Sequence, residues 1–268
     1  MIQIDKKCEV ICKSLCVIEY DEEFFMAIKI NKKAVVVFIF VLGGLCIFLW
    51  SQRESILSIS SSQVKTGQKV VVIDAGHGAK DSGKIGINGV LEKEINLAIA
   101  KQVKVLLENQ DVYVKMTRTD DAGFYPKTGG NKKLRDMQKR VEFMNSMVPD
   151  LVVSIHQNSF SDPDVCGAQT FYCEGSAEGE RAARLMQAQF ATIDEENHRK
   201  AKSNDSYYLL KNVKYPIVIA ECGFLSNVVD AENLCDKQYQ RKIAWAIHMG
   251  IMQYLNGGQI NEVDENSN

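Results

Sequence analysis

Three hydrophobic runs in this chain each hand over to a side chain that can bind a metal ion or move a proton. Val70-Val71-Val72-Ile73-Asp74 leads into Ala75-Gly76-His77-Gly78, Leu151-Val152-Val153-Ser154-Ile155 ends on His156, and Ile217-Val218-Ile219-Ala220 ends on Glu221. Glu92 follows the first run and opens a helix-length segment. Two imidazoles and two carboxylates in one crevice suffice for a catalytic zinc site, with three protein ligands, an open coordination position and a spare carboxylate as general base. The residue types alone do not decide which acid plays which part. Glu94, two positions beyond Glu92 and facing elsewhere on a helix, is its rival as a ligand.

Positioning these groups is a task for the runs that precede them. Short β-branched runs separated by helix-length segments are the pattern of parallel strands covered on both faces. Ligands of open α/β sheets collect at the carboxyl ends of such strands, which brings His77, His156 and Glu221 toward one crevice. Further strands are expected at 112–117 and 168–173. Ile95, Ile99, Val103, Leu106 and Leu107 recur at helical spacing within 92–109, and further helices are expected over 132–147, 177–193 and 237–255. The expected fold is α/β: a single domain with a twisted, mostly parallel sheet flanked by helices on both faces, behind an N-terminal hydrophobic helix.

The 268 residues, 46% hydrophobic and 25% charged, can bury one sizeable core, and no internal repeat or second domain is evident. A net charge of −2 gives no polyelectrolyte signature, so nucleic acid is not an expected partner. The eight cysteines include no C-x-x-C pair, which argues against a structural thiolate zinc site and favours free thiols, with a Cys166–Cys173 bridge as the alternative. The glycine-rich stretch from Gly76 to Gly89 lacks the Gly-Lys-Ser/Thr ending of a phosphate loop and has no dinucleotide fingerprint. Small residues there let backbone come close to a metal and an extended substrate. Asn158 is placed to hydrogen-bond a substrate, Arg118 is expected as a solvated surface residue with a peptide carboxylate as the alternative partner, and His198 and His248 are expected to be structural.

Ala34 to Trp50 is uncharged and apolar and follows Lys29, Lys32 and Lys33. Such a segment reads as a transmembrane anchor or a signal core whose lysines hold the preceding side in the cytoplasm, exporting the chain beyond Arg53. No small-x-small cleavage site follows Trp50, so an uncleaved anchor is preferred over secretion. The expected organisation is 1–33, a cytoplasmic tail or a misassigned start with Met26 as the true one; 34–50, anchor or signal segment; 51–68, linker; 69–256, catalytic domain; and 257–268, a polar tail.

Four blocks, Ile73-Asp74-Ala75-Gly76-His77-Gly78, Leu91-Glu92-Lys93-Glu94-Ile95-Asn96-Leu97, Ser154-Ile155-His156-Gln157-Asn158 and Glu221-Cys222-Gly223-Phe224-Leu225-Ser226-Asn227, resemble in order the motifs of zinc-dependent N-acetylmuramoyl-L-alanine amidases. The resemblance covers 69–255 and is greatest to the germination-specific branch. It implies one Zn2+ held by His77, Glu92 and His156, with Glu221 as the catalytic carboxylate. It also implies peptidoglycan as substrate, cut between the lactyl group of N-acetylmuramic acid and the L-alanine of the stem peptide. A second carboxylate on the ion would weaken its Lewis acidity, which agrees with Glu221 as base rather than ligand. The expected location is extracytoplasmic, membrane-anchored through 34–50 or secreted across the cytoplasmic membrane, with a forespore envelope as a further alternative, and the need for an accessory protein is left open. Two alternatives remain: a zinc peptidase cutting within the stem peptide, and a non-catalytic wall-binding module, which would have no use for an unliganded Glu221.

Overall fold

A computed structural model describes residues 41, 43, 65–124 and 131–259. The expectations for 1–33 and for the hydrophobic segment 34–50 therefore fall outside the described residues, apart from positions 41 and 43. Most of the linker and of the polar tail fall outside them as well. Among the described residues no helix is long and apolar enough to cross a membrane.

Strand β1 (Val70–Ala75) is followed by helix α1 (Glu92–Glu108), β2 (Tyr113–Met116), α2 (Lys132–Ser146) and β3 (Leu151–Asn158). Then come β4 (Gln169–Tyr172), α3 (Ala177–Ala191), β5 (Lys202–Ser203), α4 (Tyr208–Asn212), β6 (Ile217–Phe224), α5 (Val228–Cys235) and α6 (Lys237–Leu255). The six strands form one sheet in the order β2-β1-β3-β6-β4-β5. β2, β1, β3 and β6 are parallel, as expected, whereas β4 runs antiparallel to β6 and carries β5 with it. The result is a single α/β domain with a mixed sheet flanked by helices. β5, α4 and α5 were not expected, being too short to show a period.

Alternation along the strands decides where the chemistry goes. Successive side chains on a strand point to opposite faces. Val71, Ile73 and Ala75 of β1, Leu151, Val153 and Ile155 of β3, and Val218, Ala220 and Cys222 of β6 belong to the larger core, with Ile99, Val103, Met186, Phe190, Ile247 and Ile251 from α1, α3 and α6. The intervening Val72, Val152, Ile217 and Ile219 belong to a smaller core closed by Met144 of α2 and Leu209 and Leu210 of α4. Asp74, Ser154, His156 and Glu221 continue this second register, so they project toward the face with the thinner cover. β3 and β6 run on past His156 and Glu221, so these two sit within paired strands, in register with each other, rather than beyond strand ends.

Helix starts are fixed locally. Asn131, Ser176, Asn227 and Asp236 each accept a hydrogen bond from a backbone N–H of the first turn of α2, α3, α5 and α6. α1 has no such cap; instead the carbonyls of Lys84 and Ser82 accept from the N–H groups of Glu92 and Lys93. That substitution straps the loop after β1 to the end of α1 that carries Glu92.

Cys166, Cys173, Cys222 and Cys235 are unbridged. The Cys166–Cys173 alternative fails because β4 lies between the two residues and extends the chain by about 3.3 Å per residue instead of turning it back.

Candidate active site

Glu92, almost wholly buried at the first position of α1, is the hub. Its Oε2 lies 3.1 Å from His77 Nε2, and its Oε1 lies 2.9 Å from His156 Nδ1. The ligand atoms of the three residues all lie within 4.8 Å of one another. Backbone N–H groups of Lys84 and Gln157 donate to the same carboxylate at 2.8 and 3.1 Å, and Asn96 Nδ2 donates at 3.3 Å. Burial would raise its pKa, but the hydrogen bonds and charges of His156 and His77 prevail and hold it far below the usual carboxylate range. Burial likewise disfavours a charged His156, and Glu92 overrides it, raising the ring to about 9. The protons shared among these three groups are those a metal ion would displace. On the far side of His77, Nδ1–H donates to Asp81 Oδ2 at 3.0 Å in the tautomer that leaves Nε2 free.

Two glycines make room for this cluster. A Cβ on Gly76 would collide with the His156 ring. One on Gly83, whose φ is +68°, would strike Glu92 Oε2 and come within 2.7 Å of His77 Cδ2. His77 itself has φ +63° and Ala79 φ +50°, left-handed conformations that cost on the order of 1–3 kcal/mol each and persist only where the surroundings impose them.

Two buried guanidiniums hold the backbone at His77, while Asp121 and Lys93 hold that of Ala79. Arg118 donates to the carbonyls of Ala75 at 2.8 Å, Gly76 at 3.0 Å and Lys93 at 2.7 Å. Arg140 donates to the carbonyls of Ala75 and His77 and forms ion pairs with Asp74 Oδ1 at 2.6 Å and Asp136 Oδ2 at 2.7 Å. Asp74 accepts further bonds from Thr117 and Ser154. Burial raises the Asp74 pKa, but Arg140, His156 and these hydroxyls outweigh it and bring the carboxyl to about 2. Arg118 is therefore not the solvated surface residue expected from sequence: it is 5% exposed, and its donors are spent on backbone.

Glu221, 5% exposed, stands beside His156 on the neighbouring strand. Its Oε2 has no hydrogen-bond partner among the described residues, while the Tyr207 hydroxyl donates to Oε1 at a long 3.4 Å. Burial pushes its pKa to about 7, His156 opposing the rise and Glu92 adding to it. Burial and the Glu221 charge push Tyr207 well above its ordinary range, so it stays a donor. His77, Glu92, His156, Glu221 and Tyr207 line one cleft of about 560 Å³, whose rim includes Asn158, Lys84 and Lys133.

The four chemistry-bearing residues anticipated from sequence are thus brought together, and Asn158 joins them at the rim. Glu94 is exposed on α1, away from the cluster. His198 is exposed, and His248 is buried in α6. Asp81, Tyr207, Asn96 and Arg140 escaped sequence reasoning; only Asp81, at position i+4 from His77, left a spacing that could have revealed it.

A family model for N-acetylmuramoyl-L-alanine amidases matches residues 71–253. The germination-specific N-acetylmuramoyl-L-alanine amidase of Bacillus subtilis is 36% identical over 190 residues, covering 70% of this chain and 80% of the relative. The structure of the CwlD amidase from Clostridioides difficile, in complex with the GerS lipoprotein, matches with TM-score 0.69 and 37% identity, covering 71% of this chain and all of that one (100%). The catalytic domain of the amidase CwlV from Bacillus (Paenibacillus) polymyxa matches with TM-score 0.61 and 33% identity over 70% of this chain and 99% of that one. The chain belongs to the N-acetylmuramoyl-L-alanine amidases, hydrolases that free the stem peptide of peptidoglycan at its bond to muramic acid.

Proposed function

We propose that His77, Glu92 and His156 hold one zinc ion and that Glu221 is the general base of amide hydrolysis. The observation that carries this reading is the convergence of two imidazoles and a buried carboxylate beside a second carboxylate with an unpartnered oxygen. The donor set suits zinc, and Gly76 and Gly83 keep the space free of side chains. When bound, zinc supplies a Lewis acid that polarises the scissile carbonyl and makes the attacking water more acidic.

The chain's own residues do the rest. Glu221 Oε2 takes the proton of the attacking water and returns it to the departing amine nitrogen, while Tyr207 steadies Oε1. Glu221 sits on a strand in register with His156, so base and ligand keep their separation without a loop to adjust. Asp81 orients His77 by accepting from Nδ1, which fixes the tautomer that presents Nε2. Replacing Asp81→Asn is expected to weaken zinc binding about 10- to 100-fold, the range typical of such supporting partners, read by competition with a chromophoric chelator. Unchanged affinity would remove Asp81 from this role.

The same reading assigns the activity to spore-cortex maturation for germination, outside the cytoplasmic membrane, by analogy with the Bacillus subtilis and Clostridioides difficile relatives. The relative bound to a lipoprotein supports a lipoprotein partner for this chain as well.

Metal analysis combined with muropeptide digestion tests the proposal. The purified protein should carry about one zinc ion, the number its ligand set accommodates. It should release stem peptide with a new L-alanine amino end, lose activity to chelator and regain it with zinc. Scission between amino acids would overturn the substrate, and an active metal-free protein would overturn the site.

A further inference from the structure

The ionised side chains of the cleft are arranged unevenly. Asp81, Glu92 and Glu221 lie beside the two imidazoles at the centre of the cluster, while Lys84 and Lys133, both exposed, are the lysines that line the cleft. The glycan of the substrate is neutral, its lactyl carboxyl being consumed in the scissile amide, whereas the stem peptide carries free carboxylates beyond L-alanine. The two ammonium groups therefore discriminate between the two halves of the substrate.

Lys84 is rooted at the reacting centre. Its backbone N–H donates to Glu92 Oε2 at 2.8 Å, and its carbonyl accepts from the Glu92 N–H at 3.0 Å. The side chain that leaves this fixed point is exposed, and no carboxylate among the described residues lies within ion-pair distance of it. Lys133, in the first turn of α2, is 3.8 Å from Asp81 Oδ2 with 70% of its side chain exposed, a long and screened pair of little energetic value. By contrast Lys93, just outside the cleft, is engaged by Asp121 at 2.7 Å and by the carbonyl of Ala79 at 2.9 Å. The lysines that can still accept a partner are the ones facing the substrate.

We propose that Lys84 and Lys133 form a subsite for a stem-peptide carboxylate, so that the enzyme selects for a free acid on the peptide side of the bond it cuts. This rests on the amidase reading and deepens it. The carboxylate belongs to the second or the third residue of the stem, and the experiment distinguishes them.

Zinc-loaded full-length protein is assayed on three muramyl tripeptides: one with both carboxylates free, one amidated at the second residue and one amidated at the third. The wild-type protein is expected to lose about tenfold in kcat/KM on one of the two amidated substrates, chiefly through KM, as loss of one charge-assisted hydrogen bond predicts. The substrate that suffers identifies the carboxylate. In Lys84→Gln/Lys133→Gln this preference should shrink to within about twofold, and it should weaken in the wild type as salt rises. Lys84→Arg/Lys133→Arg, which keeps both charges, should retain it. Equal cleavage of all three substrates by the wild type, or a preference that survives in the double glutamine variant, overturns the subsite. Charge-blind cleavage at the muramyl–L-alanine bond leaves the amidase reading intact, whereas failure to cut that bond in any of the three strikes the reading itself.

Discussion

Glu221→Gln lowers kcat about 10²- to 10⁴-fold, the range supplied by a positioned general base, while zinc content and KM stay near those of the wild type. Glutamine preserves the volume of the side chain and can still accept from Tyr207, so strand pairing with β3 and packing beneath the site are untouched. What it loses is the basic oxygen, the Oε2 that has no partner among the described residues. Stopped assays on purified muropeptide, with metal content measured on the same sample, separate the outcomes. A variant that loses zinc would make Glu221 a ligand rather than a base, and a variant with undiminished kcat would leave the proton transfer without an owner.

The second large effect concerns stability. Arg140→Met leaves Asp74 and Asp136 buried without their common cation, a loss expected to cost about 3–5 kcal/mol. For a folded unit of this size that corresponds to a fall in Tm on the order of 10 °C. The Asp74 pKa is depressed to about 2 from an ordinary 3.8. A depressed carboxylate contributes stability that is complete above its unfolded pKa and disappears as pH falls through the folded one. The gap between wild type and Arg140→Met should therefore be widest near neutral pH and narrow between about pH 4 and 2. Thermal melts at neutral and acid pH check both statements; a shift of only about 1 or 2 °C at neutral pH, well short of the loss of a buried pair, would mean that the arginine is dispensable.

These two residues also mark what sequence could and could not tell. Glu221, like His156, stands out because an apolar run buried on both sides has no other reason to arrive at an ionisable group. The run, its length and its terminal residue are all local, and so is the helical spacing that makes Glu92 the start of α1. Arg140 and Arg118 give no such sign. A guanidinium in an amphipathic helix or after a strand reads as solvent-facing until the carbonyls it will bind are known, and those come from β1, far away in the chain. Direction is equally silent: the segment around β4 is recognisably a strand, yet nothing in it states that it pairs antiparallel with β6. Tyr207 was missed for the same reason, since it precedes a five-residue helix and its own contact with Glu221 exists only once β6 is in place.

The carbonyls of Ala75, Gly76 and His77 are all turned onto arginines anchored in the protein interior. The loop that carries His77 thus takes its shape from side chains of the chain itself. In small zinc domains, by contrast, metal binding and folding are a single event. On the zinc reading the two should be uncoupled here: chelator is expected to abolish activity while leaving the thermal melt cooperative, and added zinc to restore activity without a refolding step.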